Sequence, residues 1–183
     1  MNRDGASAYR SVTSKPCYPI FLTVNNLPPR LRYDKHNLIL SALWLSKGEP
    51  NIPLFFEGFC KEMSTLQNGI QIGDEIYAVV VVQCCLDTVA RPKLQNSTQF
   101  NGRYGCSLCI HKGEIVNQNQ VRYPYKKVLL RDHLSTKNLM IEAHVSQKPI
   151  QGIKGLSVFL SIPCFDVVKG TIFCATNEFQ IYA

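Results

Sequence analysis

The chain has 183 residues, 45% of them hydrophobic and 18% charged, with ten prolines, eight cysteines and a net charge of +7. That is one domain's worth of chain, long enough to bury a core and too apolar for a disordered tail. It has no run of about 18 uncharged apolar residues, and its opening Met1-Asn2-Arg3-Asp4-Gly5 lacks the apolar stretch of a secretory signal. No membrane partner is expected, and the cysteines are not read as disulfides.

Tyr18 to Val24 is rich in aromatic and branched residues and predicts a strand, broken by Asn25-Asn26-Leu27-Pro28-Pro29. Asn37 to Leu45 is a second apolar run of strand length, ended at Lys47-Gly48-Glu49-Pro50. Between Leu54 and Gln67 the period changes. Phe55, Phe59, Met63 and Leu66 recur as one helical stripe, with Asn68-Gly69 as the stop. Ile76 to Leu86 is almost continuously apolar, and its four successive valines predict a strand buried on both faces. Thr88 reads as the N-cap of a short helix reaching about Gln95. Residues 96–134 form a loop-rich, basic insertion, in which Asn96-Ser97-Thr98 reads as a polar surface turn. Ser135 to Val145 is the next helix, and in the irregular tail from Gly152 only Phe159 to Ile162 suggests a short strand. This order predicts a single α/β domain over residues 1–183.

Asp87 is the most informative acid, because a carboxylate directly after a buried strand sits where α/β folds open their ligand crevice. The plain alternative is an aspartate that starts a turn or caps the next helix. Asp4, in an Asp-Gly pair, is also a ready turn residue.

Cys106 and Cys109 stand apart from the other six cysteines. Cys17, Cys60, Cys84, Cys85, Cys164 and Cys174 lie among apolar neighbours and read as small core residues. In Gly102-Arg103-Tyr104-Gly105-Cys106-Ser107-Leu108-Cys109 the thiols have the spacing of half a tetrahedral zinc site. His133 is the best third ligand, while His111 and His144 compete for the fourth place. His36, in a charged turn, needs no role. The alternative is a pair of buried or redox-active thiols.

Charge is concentrated in the same region. Between Thr88 and Ser135 stand Arg91, Lys93, Arg103, Lys112, Arg122, Lys126, Lys127 and Arg131 against only Glu114 and Asp132. Such a stretch either tracks a phosphate backbone or is an ordinary solvated loop. No phosphate-cradling glycine loop with Lys-Ser or Lys-Thr occurs, nor a Gly-x-Ser-x-Gly elbow. P-loop hydrolysis and esterase chemistry are disfavoured.

Taken in order, several segments resemble the transposases of CACTA (EnSpm) elements and their animal relatives. The segments that carry the resemblance are Asp4-Gly5 with Ser11, Pro19-Ile20, Asn25-x-Leu27-Pro28-Pro29-x-Leu31-Arg32, Leu43-Trp44, and Asp87-x-x-Ala90-Arg91. They continue with Phe100-Asn101-Gly102-x-Tyr104-Gly105-Cys106-x-x-Cys109, Gly113-Glu114, Arg122-Tyr123-Pro124-Tyr125, Arg131-x-His133 and Gly152-x-Lys154-Gly155, ending in Pro163-x-Phe165-Asp166-x-Val168-x-Gly170.

The resemblance implies an RNase H-like mixed sheet flanked by helices, with a zinc-knuckle-like insertion, DNA as partner and the nucleus as location. It also implies an acidic triad holding two magnesium or manganese ions, with Asp4 as first acid and Asp87 as second. The departures bear on activity. Only three residues precede Asp4, too few for a strand of about five residues, so a gap or exposed edge in the sheet is expected. After Gly170 the family's later acidic segment is replaced by Thr171-Ile172-Phe173-Cys174-Ala175-Thr176-Asn177, and no third acid is found. The expectation is a partial domain, shortened at both ends, without catalysis and with residual affinity for nucleic acid. Two other readings stay open. One is an active strand-cleaving enzyme whose third acid comes from Asp166, Glu178 or a partner chain. The other is a zinc-stabilised protein-interaction module. Association with a second copy is open in each.

Overall fold

The computed structural model describes residues 6–7, 16–117, 120–173 and 178–182, and Asp4, Ser11 and Cys174 lie outside them. The fold is mixed α/β. Its main sheet is built from β1 (Ala6–Ser7), β2 (Pro16–Val24), β3 (Ile39–Leu45), β6 (Val80–Leu86), β9 (Thr171–Phe173) and β10 (Glu178–Tyr182). Two hairpins stand apart from it, β4–β5 (Ile70–Ile72, Glu75–Tyr77) and β7–β8 (Glu114–Val116, Gln120–Arg122). The helices are α1 (Pro29–Arg32), α2 (Ile52–Gln67), α3 (Ala90–Leu94) and α4 (His133–Ser146), with a 3₁₀ turn at Val158–Ser161.

The sheet runs β1-β2-β10-β6-β9, and β3 lies along the other edge of β2. β10 is parallel to β2, with Phe179 opposite Leu22, and antiparallel to β6, with Phe179 opposite Cys84. β9 is parallel to β6 and β3 antiparallel to β2. β10, from the tail that carries no strong strand pattern, lies between β2 and β6 and pairs with both.

α2 begins where Asn51 Oδ1 accepts the Leu54 amide at 3.2 Å, with Pro53 in the first turn, and stops before Gly69, whose φ of 101° only glycine adopts easily. Its buried face is Phe56, Phe59, Cys60 and Met63, one residue round from the predicted stripe, since Phe55 and Leu66 are only half-buried. α4 starts two residues earlier than predicted. Asp132 caps it by accepting the Ser135 amide at 2.9 Å, and Met140 and Ala143 are buried. These side chains meet Ile20, Leu22, Val81, Leu86, Phe159, Ile162, Phe165, Val167 and Val168 in one core.

Three local expectations are corrected. The stretch Ile76 to Leu86 is not one strand: Ile76 and Tyr77 belong to an exposed hairpin, and burial on both faces begins only at Cys84-Cys85-Leu86. Phe159 to Ser161 belong to a 3₁₀ turn that ends at Ile162, rather than to a strand, because the Ser157 hydroxyl accepts the Phe159 amide and starts a turn there. Cys164 is exposed, not core, while Cys60, Cys84 and Cys85 are buried as expected and Cys17 is half-buried.

Candidate metal and nucleic-acid site

Asp87 leaves the buried end of β6 and is held by local backbone. Its Oδ1 accepts the amides of Val89 at 2.8 Å and Ala90 at 2.6 Å, so the carboxylate closes, in the manner of a cap, the turn that leads into α3, whose N-cap position is Val89 rather than Thr88. Replacing Asp87 with Ala should therefore cost about 1 kcal/mol, as loss of a cap does, while Asn should retain most of the stability. Urea denaturation of the two variants checks this: equal, full-sized losses would mean that the negative charge itself has a further partner.

The insertion is anchored to the segment beyond α4. Thr98 donates its amide to Gly152 O at 2.7 Å, Lys154 donates to Asn96 O at 2.9 Å, and Ser97 bridges Ile153. The approach is close. Gly152 has φ 83°, and a Cβ there would come within 2.4 Å of Tyr104 O. At the sheet end of the insertion, buried Gln95 donates to Val167 O and to the Thr171 hydroxyl, both at 2.9 Å.

Cys106 and Cys109 are half-buried and in contact. The Cys106 sulfur accepts the backbone amides of Leu108 and Cys109 and the Cys109 thiol. Burial pushes the Cys106 thiol up, but these donors and the nearby Arg131 outweigh it and hold the group below its ordinary range. Cys109 is pushed up by burial and by its contact with Cys106.

Arg131 organises this loop from inside. It is 7% exposed. Its Nε donates to Cys106 O at 3.1 Å, and its Nη2 to Gln151 O at 2.7 Å and Tyr104 O at 3.4 Å. Burial lowers its pKa, and the neighbouring Cys106, Cys109 and Tyr123 oppose that shift. Tyr123 closes the loop from the other side, donating to Gly102 O and accepting the Gly105 amide at 2.7 Å.

The histidines are engaged elsewhere. His111 is buried; its Nδ1 accepts the Gly113 amide at 2.9 Å, so its Nε2 carries the proton and donates to Pro124 O at 3.1 Å. The ring packs edge-on against Tyr123 with 5.3 Å between centroids. Neither nitrogen is left for a metal. His133 sits at the start of α4, where its Nδ1 accepts the Val167 amide at 3.2 Å and its ring lines a cleft with Lys137, Pro163 and Asp166. Among the described residues no group of three or more His, Cys, Asp or Glu side chains could hold a metal ion.

The eight basic residues separate by environment. Arg131 is buried, and Arg91 is half-buried with its guanidinium donating to Thr171 O. Lys93 pairs with Glu49 at 2.8 Å, and Lys126 approaches Glu114 at 3.8 Å. Arg103, Lys112, Arg122 and Lys127 are exposed and have no ion pair among the described residues. Of the eight, these four stand in solvent without an ion pair among the described residues. The charge pattern alone did not reveal the roles of Arg131 as a carbonyl clamp or of Tyr123 and Gln95 as struts, since each depends on backbone oxygens far away in sequence.

Comparison of the chain with protein-family models, curated proteins and solved structures gives no match.

Proposed function

We propose that this chain is a transposase-derived domain of RNase H-like type that binds DNA weakly and without base specificity, and that does not cleave it. The observation that carries the DNA reading is the set of four exposed, unpaired cations Arg103, Lys112, Arg122 and Lys127 on one short insertion. Guanidinium and ammonium groups of this kind neutralise phosphates and release condensed counterions, which supplies affinity without reading bases.

The residues in hand do not fit a two-metal catalytic centre. Asp87 already accepts two amides through one carboxylate oxygen, and among the described residues no group of three or more His, Cys, Asp or Glu side chains could hold a metal ion. Zinc is a better match to the donors: two thiolates with amide donors on the Cys106 sulfur have the chemistry of half a structural site. An interaction-module reading gains from a different observation. Leu108, Leu129, Leu130 and Leu134, all in the insertion or at its border, are more than half exposed.

The test is binding of a short duplex across a salt series. Four phosphate contacts predict a slope of log K against log salt of about −3.6, or roughly a hundredfold loss between 50 and 200 mM. Replacing the four cations with Ala should flatten the slope, and the duplex should stay intact in Mg²⁺ or Mn²⁺. Salt-independent binding, or none at low salt, would sink the DNA reading. Cleavage that disappears with Asp87→Ala would overturn the non-catalytic reading.

A further inference from the structure

We infer that Cys106 and Cys109 form half of a zinc site whose other half is the same pair of thiols on a second copy of this chain. This rests on the reading that these thiols take zinc, and it adds where the remaining donors come from. Structural zinc requires four ligands in a tetrahedron. Among the described residues no third His, Cys, Asp or Glu joins the pair, and the nearest sequence candidate, His111, has both ring nitrogens bonded to backbone.

The pair is shaped as a ligand turn. The turn between them is held from behind, where Arg131 Nε donates to Cys106 O at 3.1 Å and the Arg131 amide to Leu108 O at 2.9 Å. Charge also fits a four-thiolate site. Zinc with four thiolates carries a net double negative charge, and each copy brings one buried Arg131 guanidinium, whose Nη1 has no hydrogen-bond partner. Two such cations balance the site in a setting where an unbalanced charge would be costly.

The surroundings suit a contact between copies. Cys109 is bridged to Leu130, which places their side chains on one face, and Leu130 is 69% exposed. Leu108 and Leu129, next along the same two segments and so alternating to the other side of the bridge, are 52% and 74% exposed. A second copy related by a two-fold axis would meet the exposed Leu130 beside Cys109 with its own, as a self-complementary interface requires.

The test uses the full chain, purified under reducing conditions with zinc present, with metal content and oligomeric mass measured together. The expected result is about one zinc per two chains in a dimer, which falls to monomer when a chelator removes the metal. Cobalt in place of zinc should show the strong thiolate-to-metal absorption of a four-sulfur site. Cys109→Ser, which keeps the loop's size, should lose both metal and dimer while retaining the far-ultraviolet dichroism of the fold. One zinc per monomer would overturn the shared site and leave zinc binding intact. No zinc at all would overturn both. A dimer that survives chelation and Cys109→Ser would also overturn the shared site. If Cys109→Ser fails to fold, the chelation result on the unaltered chain decides.

Discussion

A chain shortened to end at Phe173 should fail to fold cooperatively. β10 lies between β2 and β6 and pairs with both, from Glu178 opposite Phe21 to Tyr182 opposite Val80. Removing it leaves the inner edges of both strands without partners at a place where Thr23 and Cys84 are fully buried. Each buried amide or carbonyl left unsatisfied costs about 1–3 kcal/mol, and a domain of this kind has only about 5–15 kcal/mol in total. Several orphaned groups at once exceed that margin. The shortened chain should show no sigmoidal urea transition and should bind a hydrophobic dye. The point variant Phe179→Pro removes one amide from the same ladder and should lower the urea midpoint without deleting any chain. An unchanged midpoint in both variants would mean that β2 and β6 are held by the core alone.

The second large effect falls on Arg131. Replacing it with Met keeps much of the apolar stem and removes a cation that bonds the carbonyls of Tyr104, Cys106 and Gln151. Hydrogen bonds to a charged group contribute about 1.5–3 kcal/mol each, and the abandoned carbonyls add to the loss, so destabilisation of about 4 kcal/mol is expected. Arg131→Lys should lose roughly half as much, because one ammonium reaches fewer of three carbonyls that the planar fork spans. Urea denaturation with a shifted midpoint and unchanged slope would register this as stability. The loop around the thiols should loosen too, and Cys106 and Cys109 should react faster with a thiol reagent. The salt series separates this role from DNA contact. Arg131→Lys should leave the slope where it was, whereas Lys127→Ala should change it by about 0.9. A slope change on Arg131→Lys comparable to that of Lys127→Ala would place the guanidinium at phosphate and undo its assignment as an internal clamp.

Elements with a strong local period were legible from residues alone. The helix at Ile52–Gln67 has an apolar stripe, an asparagine cap and a glycine stop, so its existence depends on neighbours within a turn or two. β2 carries aromatic and branched residues that favour a pleated surface, and two prolines follow soon after it. The valine run overreached. Composition favours a strand through Ile76, but the turn at Gly73-Asp74 folds Glu75–Tyr77 back on Ile70–Ile72, and that choice is made by pairing, not by propensity.

At the candidate site, residue type named the chemistry, but the environment of each group decided what it does. Asp87 after a buried strand is visible in the sequence, yet its two amide partners make it a cap. His111 is a metal ligand by type and a backbone strut by position, since Gly113 and Pro124 occupy both its nitrogens. Eight cations look like one basic face until the fold buries Arg131, half-buries Arg91 and pairs Lys93 with Glu49.

What the sequence by itself determined is the α/β class, the second and third strands, the two long helices, and the thiol pair with its ligand spacing. All of these follow from contacts a few residues apart. Only the tertiary structure decided that residues 178–182 pair between β2 and β6, that Arg131 lies inside, and that no described histidine or acid completes a metal group around the thiols. Each of those depends on groups brought together from distant parts of the chain. Strand register and the burial of a charge are fixed by where the partner carbonyls and amides end up in space, and no local pattern carries that information.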